Sequence, residues 1–240
     1  MENNTKVKKP LYKRWWFILI VAIIILGAIG NILNENSNTT NNPNVSNNES
    51  SNKKNNDETK KDENKDVYVN TAEAAELFTG EFIVGQDVKA GRYDITCEDG
   101  SGNFFVYDGG LPVVNEILTS SLEKSFNLGV TKIQYDFKDG QKIVISGINK
   151  VILTPTVVSL STTLCSGMHI VGRDVPAGDY IATAPNGSGN LFVYNSLGLP
   201  RVNEILGKDS MGLAVEKVKL TLKDGEKVVI SGLDLVELTK

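Results

Sequence analysis

The chain has 240 residues, with 29 acidic and 25 basic side chains and a formal net charge of −4. Its single histidine and two cysteines are too few to build a zinc site from soft ligands in each half of the chain. Residues 67–240 contain fifteen basic and twenty-one acidic side chains, and this excess argues against nucleic-acid binding by phosphate neutralisation.

The first predicted element is a transmembrane helix over residues 15–33. This segment, WWFILIVAIIILGAIGNIL, has no charged residue, and a helix of its length rises about 28 Å, close to the thickness of a bilayer core. Residues 1–14 form a basic head, so the positive-inside rule predicts a cytoplasmic N-terminus and export of the rest. A cleaved signal peptide is the alternative, because Ala28-Ile29-Gly30 has the small residues that signal peptidase prefers.

Residues 34–67 are predicted to be a disordered linker. Residues 34–66 include twelve Asn, and Val45 is their only large apolar side chain. Such a composition buries too little apolar surface to offset the entropy lost on ordering. We expect the linker to hold the folded part clear of the membrane.

Beyond the linker, the same succession of motifs occurs twice. The matching blocks are IVGQDVKAGRY (83–93) and IVGRDVPAGDY (170–180), GSGNFFVY (100–107) and GSGNLFVY (187–194), LPVVNEIL (111–118) and LPRVNEIL (199–206), and KDGQKIVISG (138–147) and KDGEKVVISG (223–232). The offsets are 87, 87, 88 and 85 residues, so one unit has been duplicated. The copies are predicted to span residues 68–156 and 163–240.

Each copy is predicted to be an all-β module, a small β-sandwich or a jelly-roll-like fold. Apolar and polar residues alternate, so that Tyr93, Ile95 and Cys97 share one face, as do Phe78, Phe82 and Val84. Modules of this size have marginal cores. We therefore expect the two copies to pack against each other and to share a sheet.

Two kinds of turn signal recur in both copies. The Asp-Gly pairs at 139–140 and 224–225 predict tight hairpin turns, because glycine accepts a positive φ. The GSGN segments at 100–103 and 187–190 are predicted to be flexible hairpin loops. They are not expected to bind phosphate, because a strand rather than a helix follows each of them.

The histidine and the cysteines are predicted to be core residues. His169 takes the place of Phe82 in the other copy and lies on an apolar face, which favours a core residue over a catalytic base. Cys97 and Cys165 fall on inward faces of different copies, which favours two buried thiols over a disulfide. No catalytic residue and no metal ligand is assigned, and no enzymatic activity or cofactor is expected.

The candidate ligand-binding residues are the Asn-Glu pairs Asn115-Glu116 and Asn203-Glu204. They interrupt apolar segments where no turn or cap requires a carboxylate. Neighbouring residues on a strand point to opposite faces, so the two members of a pair cannot both be buried by one face. The alternative for each carboxylate is a solvated, outward position. The shared Asp87 and Asp174 are expected to accept hydrogen bonds from backbone N–H groups of the turn that follows.

The head KKPLYKRWWFILIVAIIILGAIG resembles those of Gram-positive (Firmicute-type) cell-surface proteins, which join a basic, Trp-flanked helix to an Asn/Ser/Lys-rich tether. The repeated pattern VGxDVxAGxY…GSGNxFVY…DGxKxVISG resembles β-rich repeats in uncharacterised exported proteins of the same bacteria. The resemblance implies a location at the cell surface and a β fold. It carries over no functional residues.

These observations predict a single-pass membrane protein with a cytoplasmic N-terminus and extracellular β modules. The expected function is non-enzymatic binding to an envelope component, a surface protein or a small ligand, because two weak sites on one tether gain avidity. The alternative is a structural spacer or an accessory subunit of a membrane complex. An exported enzyme is the third hypothesis, and it lacks a catalytic constellation.

Overall fold

The computed structural model describes residues 68–122, 124, 129–208 and 212–240. This part of the chain is all-β, as the alternating sequence pattern predicts, and no helix occurs in it. The predicted head, transmembrane helix and linker lie outside the described residues. Within the described ranges, no helix has the length and apolar character needed to cross a membrane.

Fourteen strands occur in the described residues, six in the first copy and eight in the second. They are β1 (Ala75–Leu77), β2 (Gly80–Ile83), β3 (Gly91–Asp108), β4 (Leu111–Thr119), β5 (Lys132–Phe137), β6 (Lys142–Pro155), β7 (Thr163–Leu164), β8 (Ser166–Ile170), β9 (Gly178–Thr183), β10 (Ser188–Tyr194), β11 (Pro200–Gly207), β12 (Val218–Leu222), β13 (Lys227–Ser231) and β14 (Val236–Thr239).

The strands of each copy form two antiparallel groups of four. In the first copy the orders are β2-β6-β3-β4 and β5-β3-β6-β1, so the long strands β3 and β6 belong to both groups. In the second copy the orders are β8-β13-β10-β11 and β12-β9-β14-β7. Separate strands β9 and β10 thus take the place of β3, and β13 and β14 take the place of β6.

The first GSGN segment lies inside β3, at the bend where this strand passes from one group to the other. The second GSGN segment leads into β10, which does not pair with the preceding strand β9. Neither segment is therefore the hairpin loop that the sequence predicted. A Cβ atom on Gly102 would lie 2.1 Å from the carbonyl oxygen of Ser146, and one on Gly189 would lie 2.3 Å from that of Ser231. Glycine is required at this position because the backbones of two strands approach closely there.

The Asp-Gly turns connect two different strand groups, which corrects the prediction of hairpins. Gly140 and Gly225 have φ values of +83° and +80°, as a tight turn with glycine allows. However, β5 pairs with β3 and β8, whereas β6 pairs with β1, β2 and β3. The first turn packs instead on the segment after β2, since Gly140 N–H donates to Val84 O at 2.9 Å. The turn residues alone do not distinguish a turn between two strand groups from a hairpin turn.

Each copy has a hydrophobic core of its own. The predicted inward positions of Tyr93, Ile95 and Cys97 are confirmed, since all three are buried. The inward position predicted for Phe78 is wrong: its side chain is 57% exposed, because it follows the end of β1 at Leu77 and is no longer part of the alternating strand.

The shared aspartates accept hydrogen bonds from the backbone, as predicted, but from a different segment. Asp87 accepts from Ile83 N–H and Asp174 from Ile170 N–H, each at 2.7 Å. The donor therefore lies four residues before the aspartate and not in the turn after it. In both copies this bond closes the tight turn that follows β2 or β8.

The two copies share one sheet through parallel pairing of β5 with β8, which confirms the expected joining. Ile133 pairs with Ser166 and Gln134 with Gly167. Gly167 has a φ of +120°, and a Cβ atom there would lie 1.9 Å from the carbonyl oxygen of Gln134. The junction therefore requires glycine at residue 167.

Four charged side chains, here termed the charge cluster, lie at this junction: Arg92, Asp136, Arg173 and Asp174. Arg92 is 1% exposed, and its guanidinium lies 2.7 Å from Asp136 and 3.1 Å from Asp174. Arg173 donates to both carboxylate oxygens of Asp136, at 3.0 and 2.8 Å. Burial raises the pKa of Asp136, but the hydrogen bonds from Arg173 and the charge of Arg92 outweigh it and hold this pKa below its usual value.

The charge cluster is formed by residues that differ between the copies. The equivalents of Arg92, Asp136 and Arg173 are Asp179, Thr221 and Gln86. Only Asp174 keeps its identity, as Asp87 in the first copy. Three of the four charges of the cluster thus have no counterpart of the same identity in the other copy.

Candidate functional site

One surface of each copy presents a pair of stacked aromatic side chains. The ring centroids of Phe105 and Tyr107 are 5.9 Å apart with their planes at 29°, and those of Phe192 and Tyr194 are 6.0 Å apart at 26°. These side chains are half-buried and point outwards, opposite to the core residues with which they alternate on β3 and β10.

We name this surface the Phe–Tyr face and define it by nine outward residues that strand pairing places side by side. In the first copy these are Ile83, Asn103, Phe105, Tyr107, Asn115, Ile117, Lys142, Val144 and Ser146. In the second copy they are Ile170, Asn190, Phe192, Tyr194, Asn203, Ile205, Lys227, Val229 and Ser231.

The outward side of the strand group that carries the Phe–Tyr face differs less between the copies than that of the other group. Nine of its eleven outward positions are identical, and these nine define the Phe–Tyr face. The two that differ are Glu81/Met168 and Val113/Arg201, and Met168 pairs with Val229 of the face. On the other group, three of nine outward positions are identical: Thr96/Thr183, Lys132/Lys217 and Thr154/Thr239. The six that differ are Glu76/Thr163, Arg92/Asp179, Asp94/Ile181, Gln134/Lys219, Asp136/Thr221 and Ile152/Glu237.

In the second copy, the Phe–Tyr face is the floor of a groove whose wall is β4 of the first copy. The groove has a volume of about 450 Å³. Met168, Phe192, Tyr194 and Val229 line the floor, and the consecutive residues 112–116 line the wall. Since neighbouring side chains on a strand point to opposite faces, five consecutive lining residues indicate that β4 presents its edge to the groove.

The structure places Asn115 and Glu116 at this groove. Asn115 is exposed, whereas Glu116 is 6% exposed and accepts a hydrogen bond from Gly232 N–H at 3.0 Å. Burial raises the pKa of Glu116, and hydrogen bonds from Ser231 and Gly232 oppose this rise. As predicted, the two neighbours are not both buried. Glu116 is not solvated, however, because it holds the first copy against the second.

The second Asn-Glu pair has different surroundings. Asn203 and Glu204 are both exposed on β11, which lies at the end of the ten-stranded sheet. Asn203 is paired with Phe192 and therefore belongs to the same Phe–Tyr face. The structure thus brings Asn115, Glu116 and Asn203 to the two sides of one face, and it leaves Glu204 at the sheet edge.

The other residues considered for chemistry are part of the core. His169 is 1% exposed, with Nε2 at 2.8 Å from the carbonyl oxygen of Cys165, and burial lowers its pKa to about 4. Cys97 and Cys165 are buried and are not joined by a disulfide. Burial raises the pKa of Cys165 to about 11, so this thiol stays protonated and unreactive. Among the described residues, no cluster of three or more His, Cys, Asp or Glu is placed to hold a metal ion.

The sequence carries a signal for the Phe–Tyr face, although Phe105 and Tyr107 were not among the predicted site residues. In the FFVY block, Phe104 and Val106 point inwards, so the alternation places Phe105 and Tyr107 on the solvent side. Large aromatic residues therefore lie on both sides of this strand. Comparison with protein-family models, with curated proteins and with solved structures finds no match to the chain.

Proposed function

We propose that this chain is a membrane-anchored cell-surface protein that binds its ligand without catalysis, through its two Phe–Tyr faces. Residues 15–33 anchor it, with residues 1–14 in the cytoplasm and residues 34–67 as a tether. Residues 68–156 and 163–240 are two small sandwich-like β modules outside the membrane. The resemblance to exported surface proteins supports the location, and the Phe–Tyr faces support the binding role.

The observation that carries the binding role is the identity of the two Phe–Tyr faces. Core residues are retained because packing requires them, but surface substitutions usually change stability by no more than about 0.5 kcal/mol. On the other strand group six of the nine outward positions differ, and two of these, Arg92 and Asp136, belong to the charge cluster of the junction. The nine residues of the Phe–Tyr face are unchanged, although in the second copy they form the floor of a groove that β4 of the first copy walls. A packing requirement does not account for identity in both settings.

The composition of the face also fits recognition. Aromatic side chains are enriched in binding surfaces because they bury a large area at a small cost in conformational entropy. Phe105 and Tyr107 supply this area, and Asn103 and Asn115 add amide donors and acceptors beside it. Two such faces on one tether raise the effective concentration of the second site once the first is occupied.

Binding of the full-length chain to isolated cell envelope tests this proposal. Phe105→Ala and Phe192→Ala should each weaken attachment, and the double variant should weaken it more than either, while the melting temperature stays close to that of the wild type. The matched control is Phe78→Ala, since Phe78 is an exposed aromatic residue outside both faces. Equal attachment of the double variant and the wild type would contradict the proposed role.

The second candidate function is a structural spacer, which the junction favours because the shared sheet and the charge cluster fix one copy against the other. If the chain is a spacer, the wild type and the Phe105→Ala, Phe192→Ala double variant should both fail to attach to isolated envelope, or should attach equally.

The proposed location has a separate test. Protease added to intact cells should remove a C-terminal tag, and protection of the tag until the membrane is lysed would refute a cytoplasmic N-terminus.

A further inference from the structure

The edge of β4 that lines the groove presents backbone hydrogen-bonding groups. Val130 N–H donates to Ile117 O at 2.8 Å, and Thr119 N–H donates to Val130 O at 2.9 Å, on the side away from β3. In an antiparallel strand the N–H and C=O of one residue point to the same side, and the side alternates along the chain. The N–H and C=O of Asn115 and the N–H of Ile117 therefore point away from β3, and no described residue is bonded to them.

An apolar floor lies beside this edge. Met168, Phe192 and Val229 form one row across β8, β13 and β10, because Val229 pairs with both of the others. A strand added to β4 would lie about 4.8 Å from it and would direct every second side chain to one face. Such a strand has the alternating N–H and C=O groups that the edge of β4 can pair with, whereas a sugar or a lipid chain does not.

We propose that an extended peptide segment of a partner protein binds in the groove by adding a strand to the edge of β4. Its alternate apolar side chains pack on Met168, Phe192 and Val229, and its backbone pairs with Asn115. This is the β-strand addition by which several peptide-binding domains gain affinity from main-chain bonds and specificity from side-chain pockets. The inference rests on the proposed function, because it names the partner class for the Phe–Tyr face of the second copy.

Charged side chains lie near both ends of β13. Glu116 is fixed by Gly232 at the end of β13, and Lys227 begins the same strand. A carboxylate in the peptide therefore pairs with Lys227, at the end remote from Glu116.

The second copy has a corresponding edge, on β11. Asn203 on β11 corresponds to Asn115, and Val215 occupies the place of Val130, since Val215 N–H donates to Ile205 O at 2.8 Å. Arg201 takes the place of Val113 at this edge, and its guanidinium donates to the Glu226 carboxylate at 2.9 and 2.7 Å. Proline is tolerated at edge positions whose N–H faces away from the sheet. Asn115→Pro removes one donor from the groove edge.

The experiment is a selection from a phage-displayed library of random decapeptides on the full-length chain. Enriched sequences should show apolar residues at every second position. Synthetic copies should lose at least tenfold in affinity for Asn115→Pro and for Phe192→Ala, and keep their affinity for Phe105→Ala and Phe78→Ala. Methylating one alternate set of peptide N–H groups should abolish binding, whereas methylating the other set should not.

Two results would overturn the peptide inference. One is the absence of any peptide enriched over selection on the Asn115→Pro, Phe192→Ala double variant. The other is equal loss of affinity in the groove variants and in their controls. Neither result decides the proposed function, which depends on attachment to isolated envelope and on the Phe105→Ala, Phe192→Ala pair.

Discussion

Replacement of Arg92 by methionine should destabilise the protein more than any exposed substitution. Methionine retains much of the apolar stem but removes a charge that is 1% exposed, next to Asp136 and Asp174 at 15% and 6%. Arg173 would then be the remaining guanidinium for two carboxylates. Removing one partner of a buried ion pair costs about 3–5 kcal/mol, mainly because the other charge stays buried without compensation.

The measurement is the urea and thermal unfolding of the variant and the wild type. For a folded part of this size, 1 kcal/mol corresponds to about 2–4 °C, so the melting temperature should fall by about 6–20 °C. Asp179→Asn is the matched control, since residue 179 is the equivalent position and is exposed. Its melting temperature should stay close to that of the wild type.

The effect of Arg92→Met should also depend on pH. The folded-state pKa of Asp136 lies below its unfolded value, so the stability it contributes is fully present above about pH 4 and is lost as the pH falls through the folded-state pKa. The difference between variant and wild type should therefore shrink in acid. A loss of less than about 1 kcal/mol at pH 7 would refute the view that the charge cluster holds the junction.

Three further predictions follow from the buried groups. His169→Phe should remove part of the loss of stability in acid. Burial lowers the pKa of this histidine from 6.5 to about 4, so the wild type loses about 3 kcal/mol of unfolding free energy as the pH falls through this range. Comparison of the urea midpoints of variant and wild type at pH 7 and pH 4.5 checks this prediction. Gly167→Ala should disrupt the pairing of β5 with β8 and expose β5 to hydrogen exchange. Gly80→Ala, at the equivalent position, has a φ of +154° that strains β2 locally, but its Cβ atom meets only the ring of Phe82 at 3.7 Å and should leave the pairing of β5 with β8 intact. Cys97 and Cys165 should together react with two equivalents of a thiol reagent in denatured, non-reduced protein, and fewer than one equivalent would reveal a disulfide.

Local sequence predicts the strand content and the inward residues well, because side-chain alternation is a property of each strand alone. Tyr93 and Ile95 are buried as their spacing requires. The Asp-Gly turns show the limit of this reasoning, because the turn residues fix the local φ but not which strand pairs with which. The joining of the two copies was expected only from the small size of each core.

The Asn-Glu pairs show why the candidate site was only partly predictable. Glu116 and Glu204 have almost the same neighbours in sequence, yet Glu116 is 6% exposed and Glu204 is at the surface. The difference arises because β4 lies against the second copy, where Gly232 donates to Glu116. Contacts between copies are absent from a local pattern, and so the charge cluster and the groove were not predictable from it.

The way in which β5 meets β8 also bears on assembly. The two copies use different strands, so the contact is head-to-tail, and contacts of this kind continue indefinitely unless something stops them. The equivalent strands β2 and β12 lie at sheet edges. A further copy docked there would bring Asp179, in the place of Arg92, towards Asp87, in the place of Asp174. Two acidic residues would meet where the junction has a buried ion pair, so the same divergence that joins the copies also disfavours growth into a fibre.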